Sequence, residues 1–127
     1  MNDLENIQRL TERFKRQMPN GEVYQRRLAE EFELILKQRF TEYFFKICDI
    51  IDLTQDVKHM TRGSAGSSLV CYLLGITDVD PVKWNIPVAR FLNPLRDDLP
   101  DVDIDFEHWR QKDIMERIFK KLSLIHI

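Results

Sequence analysis

Cysteine is scarce in this chain of 127 residues, which contains only Cys48 and Cys71. The two positions are far apart and lie in hydrophobic surroundings, without a Cys-x-x-Cys pair or a His-x-His spacing nearby. Without such motifs the pattern is typical of reduced core residues, and we expect an intracellular protein.

Long apolar runs and a strong charge imbalance are missing as well. No apolar stretch is long enough to span a bilayer, and the start, MNDLENIQRLTERFKRQ, lacks the hydrophobic region of a signal peptide. The net charge of −2 excludes a bulk attraction to nucleic acid or membranes, so binding of either needs a local patch. We therefore expect one small soluble domain that is cytoplasmic and has no membrane partner.

Helical periodicity dominates the first half of the chain. Between Glu22 and Asp52, apolar residues recur every three or four positions, which predicts helices with an interruption near residues 40–43. Residues 1–18 also have helical spacing, and the stretch MPNGEV separates them from the longer segment. The apolar positions of the longer segment are Val23, Leu28, Phe32, Ile35, Leu36, Phe40, Phe44, Ile47 and Ile51.

The second half combines short elements with a proline-rich loop. RGSAGSS opens a short helix, LVCYLLG, which Gly75 ends, and the loop that follows runs to residue 100. A strand over residues 101–106 and a last helix in HWRQKDIMERIFKK complete the pattern. Because helices outnumber strands, we predict an α+β fold with little sheet of its own. The residues expected on the packed side of the last helix are Trp109, Ile114, Ile118 and Phe119.

The stretch LPDVDIDFEHW places Asp101, Asp103 and Asp105 at alternate positions, although strands normally exclude aspartate. On a strand these side chains share one face, and the apolar residues between them point into a core. Divalent cations between the carboxylates would relieve their repulsion, and oxygen ligands favour Mg²⁺ or Mn²⁺ over zinc. Two such ions about 3.5–4 Å apart form the usual site for phosphoryl transfer.

Two other interpretations of the aspartates compete with a metal site. The first is an acidic surface loop that begins at Pro100, and the alternation of valine, isoleucine and phenylalanine argues against it. The second is a calcium loop of the EF-hand type. It fails because the sixth position would be Phe106 instead of glycine and the twelfth Lys112 instead of glutamate.

The stretch TRGSAGSSLV, residues 61–70, has the composition of a phosphate-binding loop. Gly63 and Gly66 let backbone amides approach an anion, serine hydroxyls lie at a helix start, and Arg62 adds a positive charge. It is not a Walker A loop, because no Gly-Lys-Ser/Thr follows. A plain serine N-cap between glycine turns is the alternative. A phosphate loop and a metal-binding acidic strand in one small domain together predict nucleotidyl transfer.

Four blocks of the sequence, in order, resemble the bacterial replicative DNA polymerases of family C, the polymerase III alpha subunits. They are RGSAGSSLV, GITDVDP, RFLNP and PDVDIDF, and EFELILKQRFTEYFFKICDII resembles a helix pair of the same family. The resemblance implies a partial polymerase-beta-like nucleotidyltransferase palm, mostly helical in this fragment. It also implies that the full-length parent binds dNTP, primer-template DNA, a sliding clamp, a clamp loader and a proofreading subunit.

The resemblance assigns a catalytic role to the aspartate strand. Asp101 and Asp103 match catalytic aspartates that hold two Mg²⁺ ions in the full-length parent, with Mn²⁺ as the alternative ion. Asp105 matches a recurring acidic position and is a further candidate ligand. In this mechanism one ion lowers the pKa of a primer 3′-hydroxyl and the other holds the triphosphate for in-line attack.

The resemblance also assigns residues to the nucleotide phosphates. Gly63 and Ser64 match the pair that holds these phosphates, and Arg62 lies beside them. Arg90, in RFLNP, matches an arginine that faces the triphosphate and stabilises charge on the leaving pyrophosphate. Its alternative is a surface ion pair with an aspartate at positions 97–98.

The family also needs a third metal-binding aspartate from a later strand, and these 127 residues contain no such segment. We therefore expect an inactive fragment whose sheet is under-built and has an open edge along the aspartate strand. A stand-alone, non-catalytic domain that binds a nucleotide or a partner is the alternative. The expected domains are 1–21 as a charged helix and linker, 22–121 as the partial palm, and 122–127 as a tail. The tail, LSLIHI, resembles a translated sequencing adapter, and a native end of the last helix is the other possibility.

Overall fold

Helices and one small sheet make up the chain in the computed structural model, which describes residues 2–96 and 98–126. The predicted α+β fold, mostly helical, is confirmed. The helices are α1 (Asp3–Glu12), α2 (Glu22–Gln38), α3 (Thr41–Leu53), α4 (Leu69–Leu73) and α5 (Gln111–His126). The strands are β1 (His59–Arg62) and β2 (Asp103–Phe106), and 3₁₀ turns cover Gly63–Ser67, Val88–Arg90 and His108–Arg110.

The predicted interruption of the long helical segment falls at Arg39, which has a left-handed backbone with φ of +61°. The Phe40 N–H donates to the Ile35 carbonyl at 3.0 Å, which closes α2 as a left-handed residue usually does. Helix α3 then begins at Thr41. The segment therefore forms two helices, and both contribute side chains to one core.

An apolar core holds the helices together. Leu10 of α1 is fully buried in it, so the N-terminal segment packs on the same core as the rest of the chain. Both cysteines are buried and free, which confirms the prediction of reduced core residues. None of the helices in the described residues is long and apolar enough to cross a membrane. The large, fully buried side chains include Phe44, Ile35, Ile51, Leu69, Leu73, Leu74, Ile76 and Leu92.

The two strands form an antiparallel pair, in which Arg62 lies opposite Asp103 and Thr61 lies opposite Ile104. Strand β1 is an addition to the predicted elements, because the short polar segment HMTR carries no run of strand-forming residues. Its side chains alternate between half-buried and exposed, as those of β2 do. Strand β1 therefore pairs with one edge of the aspartate strand, although the sequence had predicted an open edge there.

Helix α5 packs through fewer residues than predicted. Ile114 is buried and Ile118 is half-buried, whereas Trp109 and Phe119 are 73% and 65% exposed. Trp109 precedes the α-helix, in a 3₁₀ turn, so its side chain does not follow the helical period. Phe119 is five residues beyond Ile114, which rotates it by about 140° around the helix and away from the core. The side chains of the predicted tail, 122–127, lie outside the described residues.

An ionic network fastens α5 to the turn that follows α3. Arg117 donates to Asp56 at 2.7 Å and to Asp113 at 2.8 Å. Arg110 bonds the same two carboxylates, each at 2.9 Å. These arginine hydrogen bonds, led by the one from Arg117, hold the pKa of Asp56 well below its usual range. Helix α5, which packs with few apolar side chains, is therefore also held by charge.

Candidate functional site

The aspartates of the β2 segment face solvent, and the apolar residues between them face the core. Asp101, Asp103 and Asp105 are exposed, whereas Ile104 is half-buried against the core. The predicted separation into a charged face and an apolar face is confirmed. In the part of the chain that the structure describes, no three acidic, histidine or cysteine side chains form a metal-binding group. The three carboxylates therefore do not make a complete metal site by themselves.

The loop after β1 meets the aspartate strand at Gly63. The backbone of Gly63 has φ of +81°, a conformation that side chains rarely adopt. A Cβ atom at this position would lie 3.2 Å from Oδ2 of Asp103. The positive φ therefore favours glycine, and the close approach brings the candidate phosphate loop beside a candidate metal ligand.

Arg62 forms an ion pair with Asp105 that runs diagonally across the two strands. Its Nε atom lies 2.6 Å from Oδ2 of Asp105, although Asp103 is the residue opposite Arg62 in the register. The side chains are 69% and 54% exposed, so the pair contributes about 1 kcal/mol or less to stability. Asp105 thus has a cationic partner within its own sheet.

A polar cleft brings together three of the residues predicted from the sequence. Ser64 enters it from the 3₁₀ turn after β1, Arg90 from the turn before Phe91, and Asp101 from the segment before β2. A serine, an arginine and an aspartate from distant parts of the sequence therefore share one solvent-filled space. The other lining residues are Gln38, Phe40, Phe91, Asn93, Arg96, Asp98, Leu99 and Pro100.

The alternative role of Arg90 is a surface ion pair, and one of its two candidate partners, Asp98, is bonded to a different arginine. The Asp98 carboxylate accepts a hydrogen bond from Arg96 at 3.0 Å, and this bond holds its pKa below the ordinary value. Asp97 lies outside the described residues. The cleft thus contains a second arginine, Arg96, whose guanidinium bonds a carboxylate.

Sequence reasoning missed Glu31, a fully buried carboxylate of α2 at the start of α4. It accepts hydrogen bonds from the Ser68 hydroxyl at 2.7 Å and from the amides of Leu69 and Val70 at 2.7 and 3.0 Å. Arg27 completes the set with a 2.9 Å ion pair. Burial raises the pKa of Glu31, and these four donors act in the opposite direction. The carboxylate therefore anchors the residues that directly follow the glycine-serine loop.

The spacing of Glu31 is the signal that could have revealed it. It lies three residues after Leu28 and four before Ile35, so it occupies the apolar face of α2. A charged residue at a core position needs buried partners, because an unpaired buried charge is costly.

Two more side chains from the α2–α3 pair hold the backbone around the cleft. Gln38 donates from one amide nitrogen to the carbonyls of Asn93 and Arg96, at 2.8 and 2.9 Å. Tyr43 donates to the carbonyl of Pro100 at 2.5 Å. The wall of the cleft is thus tied to rigid helices at both ends of the 93–100 segment.

Comparison with known proteins identifies the family of the chain. Residues 4–125 match the family described as the bacterial DNA polymerase III alpha NTPase domain. The chain belongs to this family. The resemblance seen in the sequence motifs is therefore confirmed at the level of the polymerase III alpha family.

Similar proteins include the DNA polymerase III subunit alpha of two Staphylococcus aureus strains, MRSA252 and Mu50, and of Staphylococcus epidermidis. Each is 40% identical to this chain over 111 residues, which are 85% of its length. The same residues cover 10% of each relative, so the chain spans about a tenth of the proteins that it matches.

Proposed function

We propose that this chain carries part of the nucleotidyl-transfer site of a replicative DNA polymerase, in a partial palm domain. Asp101 and Asp103 serve as metal ligands, and Gly63 and Ser64 with Arg90 bind the phosphates of an incoming nucleotide. The observation that carries the proposal is the contact between the two motifs. Gly63 approaches the Asp103 carboxylate so closely that a Cβ atom would lie 3.2 Å from it.

The donor set fits Mg²⁺, with Mn²⁺ as the alternative ion. Mg²⁺ is typically held by one or two carboxylates, with waters and substrate phosphates as the remaining ligands. The described residues bring no three suitable side chains together, so two carboxylates and a triphosphate match this pattern better than an all-protein cage. When bound, the metal supplies Lewis-acid activation of the attacking hydroxyl and of the phosphate.

The residues of the chain have separate tasks in this proposal. The Asp101 and Asp103 carboxylates give the site the negative charge that attracts cations. Arg90 lies in the same cleft as Ser64 and Asp101, where its guanidinium stabilises negative charge on a triphosphate. Gly63 keeps the loop close to the strand, so phosphates bound by the loop would lie near the Asp103 carboxylate.

The wider activity belongs to a longer protein. The relatives are named DNA polymerase III subunit alpha, and this chain spans about a tenth of them. We infer that the parent protein binds dNTP and primer-template DNA and acts in DNA replication. The sliding clamp, clamp loader and proofreading subunit remain partners proposed from the family. The chain by itself is expected to bind nucleotide and metal without polymerising DNA.

Mn²⁺ binding in the presence of dATP tests the proposal on this chain. Free Mn²⁺ is measured by electron paramagnetic resonance during a titration, with and without the nucleotide. We expect Asp103→Asn to weaken binding by at least about tenfold, since even indirect support of a metal ligand is worth ~10–100-fold. Asp105→Asn should stay within about twofold of wild type, because Arg62 engages that carboxylate.

Asp78→Asn is the matched control for this titration. Asp78 is 93% exposed and pairs with Arg16, away from the residues of the cleft. Equal Mn²⁺ affinity in wild type, the control and Asp103→Asn would show that the aspartate strand is not a metal site. Binding that depends on Asp103 only when dATP is present would support a site completed by phosphate.

A further inference from the structure

Tyr43 connects helix α3 to the backbone directly before the first aspartate. Its ring is half-buried against the core and lies edge-on to Phe44, with ring centroids 6.2 Å apart. Its hydroxyl donates to the carbonyl oxygen of Pro100 at 2.5 Å. Pro100 is buried, and the next residue, Asp101, is exposed. A rigid helix thus fixes the backbone at the point where the chain turns Asp101 toward solvent.

The backbone needs such a fixed point because regular structure begins only later. The β1–β2 pairing starts at Asp103, so Asp101 precedes the ladder of the sheet. Pro100 restricts its own φ and the conformation of Leu99, but it does not set the direction of the following residue. A hydrogen bond to the Pro100 carbonyl orients the peptide plane that it shares with Asp101.

The pKa of the Tyr43 hydroxyl is raised by its surroundings. Burial raises the pKa of its hydroxyl, and the charges of Asp101 and Asp103 raise it further. The backbone of Val102 acts in the opposite direction.

We infer that Tyr43 is a positioning residue, which aims the Asp101 carboxylate by holding the Pro100 carbonyl. The inference rests on the proposed function, since it assumes that Asp101 and Asp103 bind a divalent cation. Tyr43 does not touch the ion in this scheme and acts through the backbone alone. The second anchor of the strand, the β1–β2 pairing, holds Asp103 independently.

Removal of one oxygen atom tests the inference. In Tyr43→Phe the ring and its packing remain, and the hydroxyl is lost together with its hydrogen bond to Pro100. Tyr24→Phe is the matched control, because its hydroxyl donates to Asp80 at 2.6 Å, outside the residues of the cleft. We expect Mn²⁺ affinity to fall roughly three- to tenfold in Tyr43→Phe, below the ~10–100-fold typical of a group that hydrogen-bonds a metal ligand, because Tyr43 bonds the neighbouring backbone instead. Tyr24→Phe should stay within about twofold of wild type.

The outcomes separate this inference from the proposed function. If Asp103→Asn abolishes Mn²⁺ binding while Tyr43→Phe binds like the control, the site exists and the positioning role is wrong. If wild type shows no Asp103-dependent binding, the proposed function itself fails.

A second measurement on the wild-type chain covers the case in which Tyr43→Phe does not fold. The Tyr43 signal in a chain labelled with ¹³Cζ-tyrosine should move on addition of Mg²⁺, and the Tyr24 signal should not. An unmoved Tyr43 signal at saturating Mg²⁺ overturns the inference.

Discussion

Replacement of Glu31 by glutamine should destabilise the chain more than any other substitution of similar size on α2. The carboxylate is fully buried and accepts four hydrogen bonds, two on each oxygen. A glutamine has the same shape, but one of its two polar atoms is an NH₂ group that cannot accept. Whichever orientation it takes, a backbone N–H of Leu69 or Val70 faces a donor.

The size of the effect follows from these contacts. A buried donor without an acceptor costs about 1–3 kcal/mol. Arg27 also loses the charge of its buried partner, and breaking a buried ion pair typically costs about 3–5 kcal/mol in all. We therefore expect a loss of about 3–5 kcal/mol, a large part of the ~5–15 kcal/mol that stabilises a typical domain.

Urea unfolding followed by circular dichroism measures this loss. With a slope near ~2 kcal/mol per molar, the midpoint should fall by about 2 M. Glu30→Gln is the matched control, because Glu30 is exposed on the same helix, and its effect should stay within about 0.5 kcal/mol. Overlapping unfolding curves for Glu31→Gln and Glu30→Gln would refute the argument that this carboxylate anchors the loop.

Two other predictions concern the glycine loop and the ionic network of α5. Gly63→Ala and Gly75→Ala both place a Cβ on a backbone with φ near +80°, so each should lose about 1–2 kcal/mol. Only Gly63→Ala should also lose Mn²⁺ binding, because only there does the Cβ meet Asp103; equal metal affinity in the two variants would contradict this. Asp56→Asn should make the free energy of unfolding depend less on pH at acid pH. The lowered pKa of Asp56 adds stability above about pH 4, and this is lost as the pH falls. Thermal melts from pH 5 to 2 at low salt test this, and parallel curves for wild type and variant would contradict it.

The aspartate strand and the turn at the end of α4 were predictable from the sequence because each has a local signature. Alternation of charge and apolar character identified the strand, and its two faces are found where the period of two places them. Gly75 was predicted to end α4, and it follows the helix with φ of +79°. Local patterns of this kind reflect backbone geometry, so they can be recognised without knowledge of the tertiary fold.

The partners of these elements were not predictable, because they depend on long-range packing. Strand β1 exists through its pairing with β2, some forty residues later, and its own four residues favour no structure. Glu31 was part of a helical pattern, and its burial is explained only by the packing of α4 against α2. The convergence of Ser64, Arg90 and Asp101 on one cleft likewise requires the complete fold.

The three aspartates are not equivalent, because each has different neighbours in the structure. Asp105 is bonded by Arg62 across the sheet, so its charge is already balanced within the fold. Asp103 lies against the backbone of Gly63, where a Cβ atom would be 3.2 Å from its Oδ2 atom. Asp101 faces the cleft that Arg90 and Ser64 also line. The negative charge of Asp105 is thus balanced within the protein by Arg62, whereas Asp101 lines the cleft and Asp103 lies beside the glycine-serine loop. These differences favour Asp101 and Asp103 as the proposed metal ligands, and they leave Asp105 as the partner of Arg62.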